Sequence, residues 1–222
     1  MMGNEAWIDG MKEAAKDFIS DYSRAKEHLF IRVCNREKNM EKLAGMPHRD
    51  FLEFAITCHI DLGETDGRVA SIPVTDGVLT LLGVGEDKLF EDALASSPSV
   101  KPAVVMDLDT FMNKMAGLPP CEEPDEPAVP LKAVTVEGTS HGAAAVFYPG
   151  LLEGIAAKEG CPLQLIPSSV HEFLYMPEDG CMGKEDMEAL IREVNQEVVA
   201  PGEVLSNHLY RFDPAEGKIT LA

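Results

Sequence analysis

The fold class is indicated most clearly by one stretch, Leu163-Gln-Leu-Ile-Pro-Ser-Ser-Val-His-Glu-Phe-Leu-Tyr-Met176. It contains two apolar runs, residues 163–166 and 170–176, which we predict to be strands. A Pro-Ser-Ser turn is predicted between them. Strands and helices elsewhere are also mixed without strict alternation, which favours α+β over a parallel α/β sheet. The sequence therefore predicts an α+β fold with mixed, largely antiparallel sheet elements and packed helices.

The rest of the second half has the same mixture. Strands are predicted at residues 131–136, 208–212 and 218–221, the last two flanking a hairpin turn. Residues 142–147 fit either a strand or a helix start, and a helix follows from Pro149 to Lys158. Residues 185–198 form a strong predicted helix. Its apolar stripe consists of Met187, Leu190, Ile191, Val194 and Val198.

The first half begins with a predicted amphipathic helix at residues 5–19, a strand at 28–34 and a short charged helix at 36–43. Residues 52–60 alternate as a half-buried strand. Its predicted core face is Leu52, Phe54, Ile56, Cys58 and Ile60. Three helices are predicted next. Thr75 or Asp76 caps the first, which ends near Gly83, and the others cover residues 86–96 and 107–115. In the last helix we expect Leu108, Phe111, Met112 and Met115 to face inward.

Residues 119–130 (PPCEEPDEPAVP) are predicted to be a linker, because they contain five prolines, four acids and no base. We therefore predict an N-terminal α+β region over 1–118 with a helical middle. The linker over 119–130 joins it to a C-terminal α+β region over 131–222.

The formal charge of −19 arises from 19 basic and 38 acidic residues. It argues against nucleic acid or an anionic membrane surface as a partner. Residues 1–50 are balanced, with nine bases and nine acids, so we hypothesise that they supply the surface that faces a protein partner. No run approaches the length of a membrane span. Five scattered cysteines without a CxxC pair favour a cytoplasmic protein.

The most concentrated polar cluster is Ile166-Pro-Ser-Ser-Val-His-Glu172. In a hydrolase-like interpretation, His171 is a general base or metal ligand, Glu172 its partner, and Ser168 or Ser169 the nucleophile. Ser169 and His171 would share one face of a strand, whereas His171 and Glu172 would point to opposite faces. The other interpretation is structural: the serines cap backbone groups in the turn and His171 is hydrogen-bonded.

Gly138-Thr-Ser-His-Gly142 is a second polar segment. Its backbone could present N–H groups to an anion, but it lacks the spacing of a phosphate-binding loop, which favours a tight connection. If His141 and His171 converge, they become candidate metal ligands. We expect no cofactor and no metal, because no complete motif for either is present.

Several short blocks occur in order: NREKN (35–39), PHRDF (47–51), YPGLL (148–152), IPSSVHE (166–172), EVN (193–195) and LSNHLYRF (205–212). Together they resemble an uncharacterised bacterial family, a domain of unknown function common in anaerobic gut bacteria, over roughly residues 22–219. The family usually has more sequence before the first block, so this chain is expected to be either a short version or a truncated piece of a longer one. The resemblance implies a cytosolic bacterial protein and supplies no activity, cofactor or catalytic residue.

Two functions are consistent with these patterns. The first is a non-enzymatic cytosolic binding or regulatory module that contacts another protein, which fits the lack of any complete catalytic motif. The second is a hydrolase-like or metal-dependent enzyme that uses His171 with Ser169, Glu172 or His141. The two differ in whether these side chains gather within hydrogen-bonding or ligand distance.

Overall fold

The computed structural model describes residues 4–65, 68–119, 131–178 and 183–222. The strands within these residues form a four-stranded and a six-stranded sheet, and the strand pairs are antiparallel. Helices and strands follow one another without regular alternation, which confirms the predicted α+β class. The predicted linker, except Pro119, lies outside the described residues.

The chain divides into two compact units. The first comprises Met1–Arg32 and Arg36–Pro102. Its sheet has the order β1-β3-β2, and β4 also pairs with β3. The strands are β1 (Leu29–Asn35), β2 (His48–Phe51), β3 (Phe54–Thr65) and β4 (Arg68–Pro73). The helices are α1 (Asn4–Ser20), α2 (Tyr22–Ala25), α3 (Met40–Leu43), α4 (Asp76–Leu82) and α5 (Glu86–Val100), with 3₁₀ turns at Lys26–His28 and Glu37–Asn39.

The strand predicted at residues 52–60 differs in two respects. It begins at Phe54, because Leu52 and Glu53 form the turn that joins β3 to β2, a strand that the polar sequence HRDF did not reveal. Both of its faces are buried: Ala55, Thr57 and His59 are as inaccessible as Phe54 and Cys58. An alternating pattern therefore located the strand but did not identify a solvent face.

The helices of the first unit follow their sequence signals closely. Thr75 caps α4, accepting a hydrogen bond from the Val78 amide, and Gly83 ends it in the left-handed region. Helix α5 continues beyond the predicted end at Ser96 and passes through Pro98. Its buried side consists of Leu89, Phe90, Ala93 and Ser97.

The second unit comprises Val33–Asn35 and Ala103–Ala222. Its sheet has the order β10-β9-β7-β8-β6-β5. The strands are β5 (Ala103–Asp107), β6 (Lys132–Val136), β7 (Leu163–Ser169), β8 (Glu172–Pro177), β9 (Tyr210–Asp213) and β10 (Lys218–Leu221). The helices are α6 (Leu108–Met115), α7 (Leu151–Glu159) and α8 (Lys184–Glu197), with a 3₁₀ helix at Gly142–Phe147.

The first unit ends at Pro102, and the second unit continues from Ala103. The reason is β5, which pairs with β6 from Ala103 opposite Val136 to Asp107 opposite Lys132. Helix α6 follows β5 directly and joins the same unit.

The six-stranded sheet is covered on both faces. On one face, Phe111 of α6 and Met187 and Ile191 of α8 share a buried cluster with sheet residues. The sheet residues of this cluster are Ala133, Ile166, Leu174 and Met176, joined by Leu209. On the other face, Phe147 of the 3₁₀ helix lies edge-on to Phe173, and Glu159 at the end of α7 accepts a hydrogen bond from the Tyr175 hydroxyl.

Two predicted core stripes are only partly buried. In α6, Phe111 is buried as expected, but Met112 and Met115 are 50% and 45% exposed. In α8, Met187 and Ile191 are buried, whereas Leu190, Val194 and Val198 are 45%, 40% and 67% exposed. Each short helix contacts the sheet along a narrow line, so part of its apolar surface stays in solvent.

Along the described residues, no helix combines the length and apolar character needed to cross a membrane.

Candidate functional site

The candidate site lies at the turn between β7 and β8. Ser169 pairs with Glu172 at the ends of the two strands, so the turn consists of Val170 and His171. The predicted Pro-Ser-Ser turn is therefore two residues too early: Pro167 and Ser168 belong to β7. The pairing register shifts between Ile166 and Ser169. Such an irregularity tolerates proline, which cannot donate a ladder hydrogen bond.

Ser169 and Glu172 form a buried side-chain pair. The Ser169 hydroxyl donates to Glu172 Oε2 over 2.7 Å, and the two residues are 5% and 6% exposed. The same hydroxyl oxygen accepts the backbone N–H of His171 over 3.0 Å. The Ser169 oxygen thus faces a carboxylate and a backbone amide, and the His171 ring is not its partner in these bonds.

The environment of Glu172 disfavours its charged form. Burial raises the pKa of Glu172, while hydrogen bonds from Ser169 and Ser168 and the nearby His171 lower it, and Glu203 raises it. The net direction is upward, because burial is the largest of these effects. A carboxyl with a raised pKa is typical of functional sites, although buried structural pairs have it too.

The imidazole of His171 is held from two sides. Its Nδ1 accepts the backbone N–H of His141 over 3.1 Å, and its Nε2 lies 3.4 Å from Glu203 Oε1. An Nδ1 that accepts requires the proton of the neutral ring to be on Nε2, directed at Glu203. The backbone of the same turn is fixed as well, since Thr135 Oγ1 donates to the His171 carbonyl over 2.8 Å.

The loop that precedes the 3₁₀ helix approaches this turn closely. His141 and Thr139 both have a left-handed backbone, with φ of 54° and 60°. The His141 and His171 rings have centroids 5.4 Å apart. At Gly142 an added Cβ would lie 2.3 Å from Thr135 Oγ1, 2.5 Å from the Val136 nitrogen and 2.9 Å from the His171 carbonyl oxygen. Only glycine fits there, which brings His141 against His171.

The four candidate residues His141, Ser169, His171 and Glu172 lie around this one turn, but their hydrogen bonds are not those of a Ser-His pair. The Gly138–Gly142 segment is a tight connection whose His141 amide already has a partner in His171. Among the described residues, no three His, Cys, Asp or Glu side chains are arranged to hold a metal ion. Neither ring nitrogen of His171 is directed at a serine hydroxyl in the bonds described, which is the contact that a serine nucleophile needs.

Glu203 and Thr135 also contact this turn, and neither was predicted to be a site residue. Glu203 is close because the Val170 amide donates to the Glu203 carbonyl over 2.9 Å, and Ser169 forms a β-bridge with Val204. No motif marks either residue. The pairing of distant segments creates these contacts.

Three of the sequence blocks meet beside the start of β9. Asn35 Nδ2 donates to the Leu205 carbonyl and Asn195 Nδ2 to the Ser206 carbonyl, each over 2.8 Å. Both asparagines and both acceptor residues are buried. A buried carbonyl without a partner is costly, so these two amides fix the segment that leads into β9.

Comparison with known proteins gives one finding. No curated protein and no solved structure matches the chain significantly. One family model, described as "Family of unknown function (DUF5688)", matches residues 7–214. This match confirms the resemblance to a domain of unknown function, and the chain belongs to the DUF5688 family.

Proposed function

We propose that this protein is a non-enzymatic cytosolic module of a bacterium that binds another protein, and that α8 receives a basic amphipathic helix of the partner. The observation that carries the proposal is the exposed apolar stripe of α8, defined as Leu190 and Val194 in the helix and Val198 at its C-cap. Scattered cysteines and the sequence resemblance support the cytosolic bacterial setting.

The α8 stripe lies beside the buried line of the same helix. Met187 and Ile191 enter the core cluster. Leu190 directly precedes Ile191, and Val194 directly precedes the buried Asn195, so both project to the same side of the buried line. Residues spaced by four lie on one helix face, so Leu190, Val194 and Val198 form a continuous strip. A second helix laid along α8 could bury this strip at helical spacing.

Helix α6 adds apolar surface in the same layer. Both helices contribute to one buried cluster on one face of the sheet. Helix α6 packs on β5 and β6, and helix α8 packs on β7. In the sheet, β8 is the strand between β6 and β7. Two strand spacings are roughly 10 Å, the normal distance between packed helices. The exposed Met112 and Met115 can therefore extend the surface that α8 offers.

The charge around the stripe favours a basic partner. Asp186, Glu193 and Glu197 project from α8 on the side of Leu190 and Val194, given 100° per residue. Arg192 lies on the opposite flank, 3.8 Å from Glu188. An apolar strip with an acidic border matches a helix that has leucines on one face and lysines beside them.

The enzymatic alternative has less support. A hydrolase that uses His171 needs a ring nitrogen able to take a proton from its nucleophile. Here Nδ1 accepts from a backbone amide and Nε2 faces Glu203, while the Ser169 hydroxyl donates to Glu172. These contacts favour a structural role for the turn and leave the binding module as our proposal.

The test measures the affinity of the full chain for a synthetic helical peptide of leucine and lysine by fluorescence anisotropy. We expect binding that weakens with salt, and no binding of the same peptide with glutamate in place of lysine. Val194→Asn should weaken binding about tenfold, because a buried valine contributes at least ~1.4 kcal/mol.

Gln196→Asn is the matched control, since Gln196 is exposed on the other flank of α8. It should bind like the unmodified protein. Equal binding of the lysine and glutamate peptides would disprove the basic partner, and equal binding by the Val194 and Gln196 variants would disprove the location on α8.

A further inference from the structure

A cluster of charged side chains in the first unit has no part in the function proposed above. It consists of Arg32 on β1, Asp61 on β3, Ser71 on β4 and Lys101 at the end of α5. Arg32 and Lys101 both lie over the ring of Phe30. Asp61 and Ser71 are opposite each other in the β3–β4 pair. The cluster therefore runs across three strands of one sheet.

The contacts of the cluster place two cations beside one carboxylate. Lys101 Nζ lies 2.7 Å from Asp61 Oδ1, and Arg32 Nη2 donates to Ser71 Oγ over 2.9 Å. Arg32 Cζ and Lys101 Nζ lie 5.4 Å and 5.2 Å from the centroid of Phe30. Each cation gains from the ring face, but the carboxylate of Asp61 balances only one of them.

The guanidinium of Arg32 has donor capacity left over. It has five N–H donors, and its Nε is buried with no acceptor within hydrogen-bond distance among the described residues. Burial lowers the pKa of Arg32, and the nearby Asp61 only partly offsets this effect. A half-buried positive charge with an unused N–H is destabilising unless an anion accompanies it.

We propose that Arg32 and Lys101 form a binding site for a small oxoanion, either a carboxylate or a phosphate group. Both groups present two or more oxygens that accept from an arginine and a lysine together. The Lys101 and Asp61 side chains are 21% and 15% exposed, so the cluster borders on solvent. Phe30, only 3% exposed, gives the site an apolar floor.

Because the overall charge is −19, few places on this protein can hold an anion. A strongly acidic surface repels anions over several ångströms, so an anion is retained only where local cations outnumber acids and hydrogen bonds hold it. In these contacts, Arg32 and Lys101 bring two positive charges to the one carboxylate of Asp61, and the Nε–H of Arg32 is available to hydrogen-bond an anion.

The experiment titrates the full chain with inorganic phosphate, and separately with citrate, while following its Tm and its arginine Nε–H NMR signals. Sodium chloride at matched ionic strength is the reference. We expect a higher Tm and a saturable shift of the Arg32 Nε–H signal with the bound anion. A stronger effect of phosphate assigns a phosphorylated ligand, and a stronger effect of citrate assigns a carboxylate ligand.

Arg32→Met should weaken anion binding at least about tenfold, because a charge-assisted hydrogen bond is lost. Lys101→Met is the second variant, with the same expectation if the Arg32 variant folds poorly. Arg36→Met is the matched control, because Arg36 pairs with Asp50 at an exposed position of the same unit. The proposal is overturned if neither anion exceeds chloride, or if the Arg32, Lys101 and Arg36 variants bind alike.

Discussion

The hairpins β2–β3 and β7–β8 close through turns of the same length in different surroundings. Leu52 and Glu53 join Phe51 to its partner Phe54, and Val170 and His171 join Ser169 to Glu172. The first turn places Leu52 at a φ of 54° with 42% of the residue exposed. A leucine rarely adopts this left-handed backbone, which favours glycine or asparagine.

The second turn avoids that backbone strain. Its two residues do not have positive φ, and the register shift in β7 absorbs the geometry of the turn. Side chains and backbone from three other segments hold it: Thr135, His141 and Glu203. One hairpin turn therefore depends on local backbone geometry and the other on tertiary contacts, so substitutions should affect them differently.

The largest expected effect is at Gly142, which lets the second turn and its neighbouring loop approach each other. Gly142→Ala places a Cβ within 2.5 Å of the Val136 nitrogen. We expect the free energy of unfolding to fall by about 3 kcal/mol or more, measured by urea denaturation. Gly154→Ala in α7 is the matched control, because its added Cβ meets nothing within 4 Å. It should stabilise the helix by up to ~1 kcal/mol. Similar values for the two variants would show that the loop is not tightly packed.

The second effect is a pH dependence that arises from Glu172 in the buried turn. The pKa of Glu172 is raised in the folded protein, so the folded state keeps a proton that the unfolded state has lost. Stability from this group is therefore greatest below the ordinary glutamate pKa of about 4.3 and falls as pH rises through the raised value. The slope is at most ~1.4 kcal/mol per pH unit.

Glu172→Gln removes this titration, so its stability relative to the unmodified protein should increase with pH across that range. Ser169→Ala removes a hydrogen bond that lowers the pKa of Glu172, so it should extend the decline to higher pH. Urea denaturation at a series of pH values measures both. Parallel curves for the unmodified protein and Glu172→Gln would contradict the burial effect.

The smallest effect is at the first turn. Leu52→Asn should stabilise the protein by about 0.5 kcal/mol, since asparagine tolerates the left-handed backbone. His171→Leu should instead destabilise it by about 1 kcal/mol, because leucine offers no acceptor to the His141 amide. Thermal unfolding of the two variants distinguishes the turns, and a loss of stability at Leu52 would remove the contrast between them.

Local patterns predicted most elements and failed where tertiary contacts decide. The caps of α4 and the apolar periods of α1 and α8 are properties of short segments, and the sequence located them. The Pro-Ser-Ser turn was misplaced because proline and serine favour turns, whereas here Pro167 occupies an irregular strand position. The burial of Met112 was overestimated because periodicity does not tell how wide a contact a short helix makes.

The sequence identified the residues around this turn as candidates but did not predict how they are hydrogen-bonded to one another. The sequence named His141, Ser169, His171 and Glu172, and all four lie around one turn. Their hydrogen bonds depend on where the turn falls, because a shift of two residues moves His171 from a strand face into the turn itself. Glu203 could not be predicted, since it arrives through backbone pairing across a long separation in sequence.

The second unit is built from two separate stretches of the chain, which limits where the coding sequence can be divided between the units. Val33, Cys34 and Asn35 belong to that unit although the rest of β1 belongs to the first. Asn35 supplies the amide that satisfies the Leu205 carbonyl, so a gene segment encoding residues 103–222 alone would omit part of its own interior. Recombination at that boundary would leave a buried acceptor unpaired, which favours transmission of both units as a single coding block.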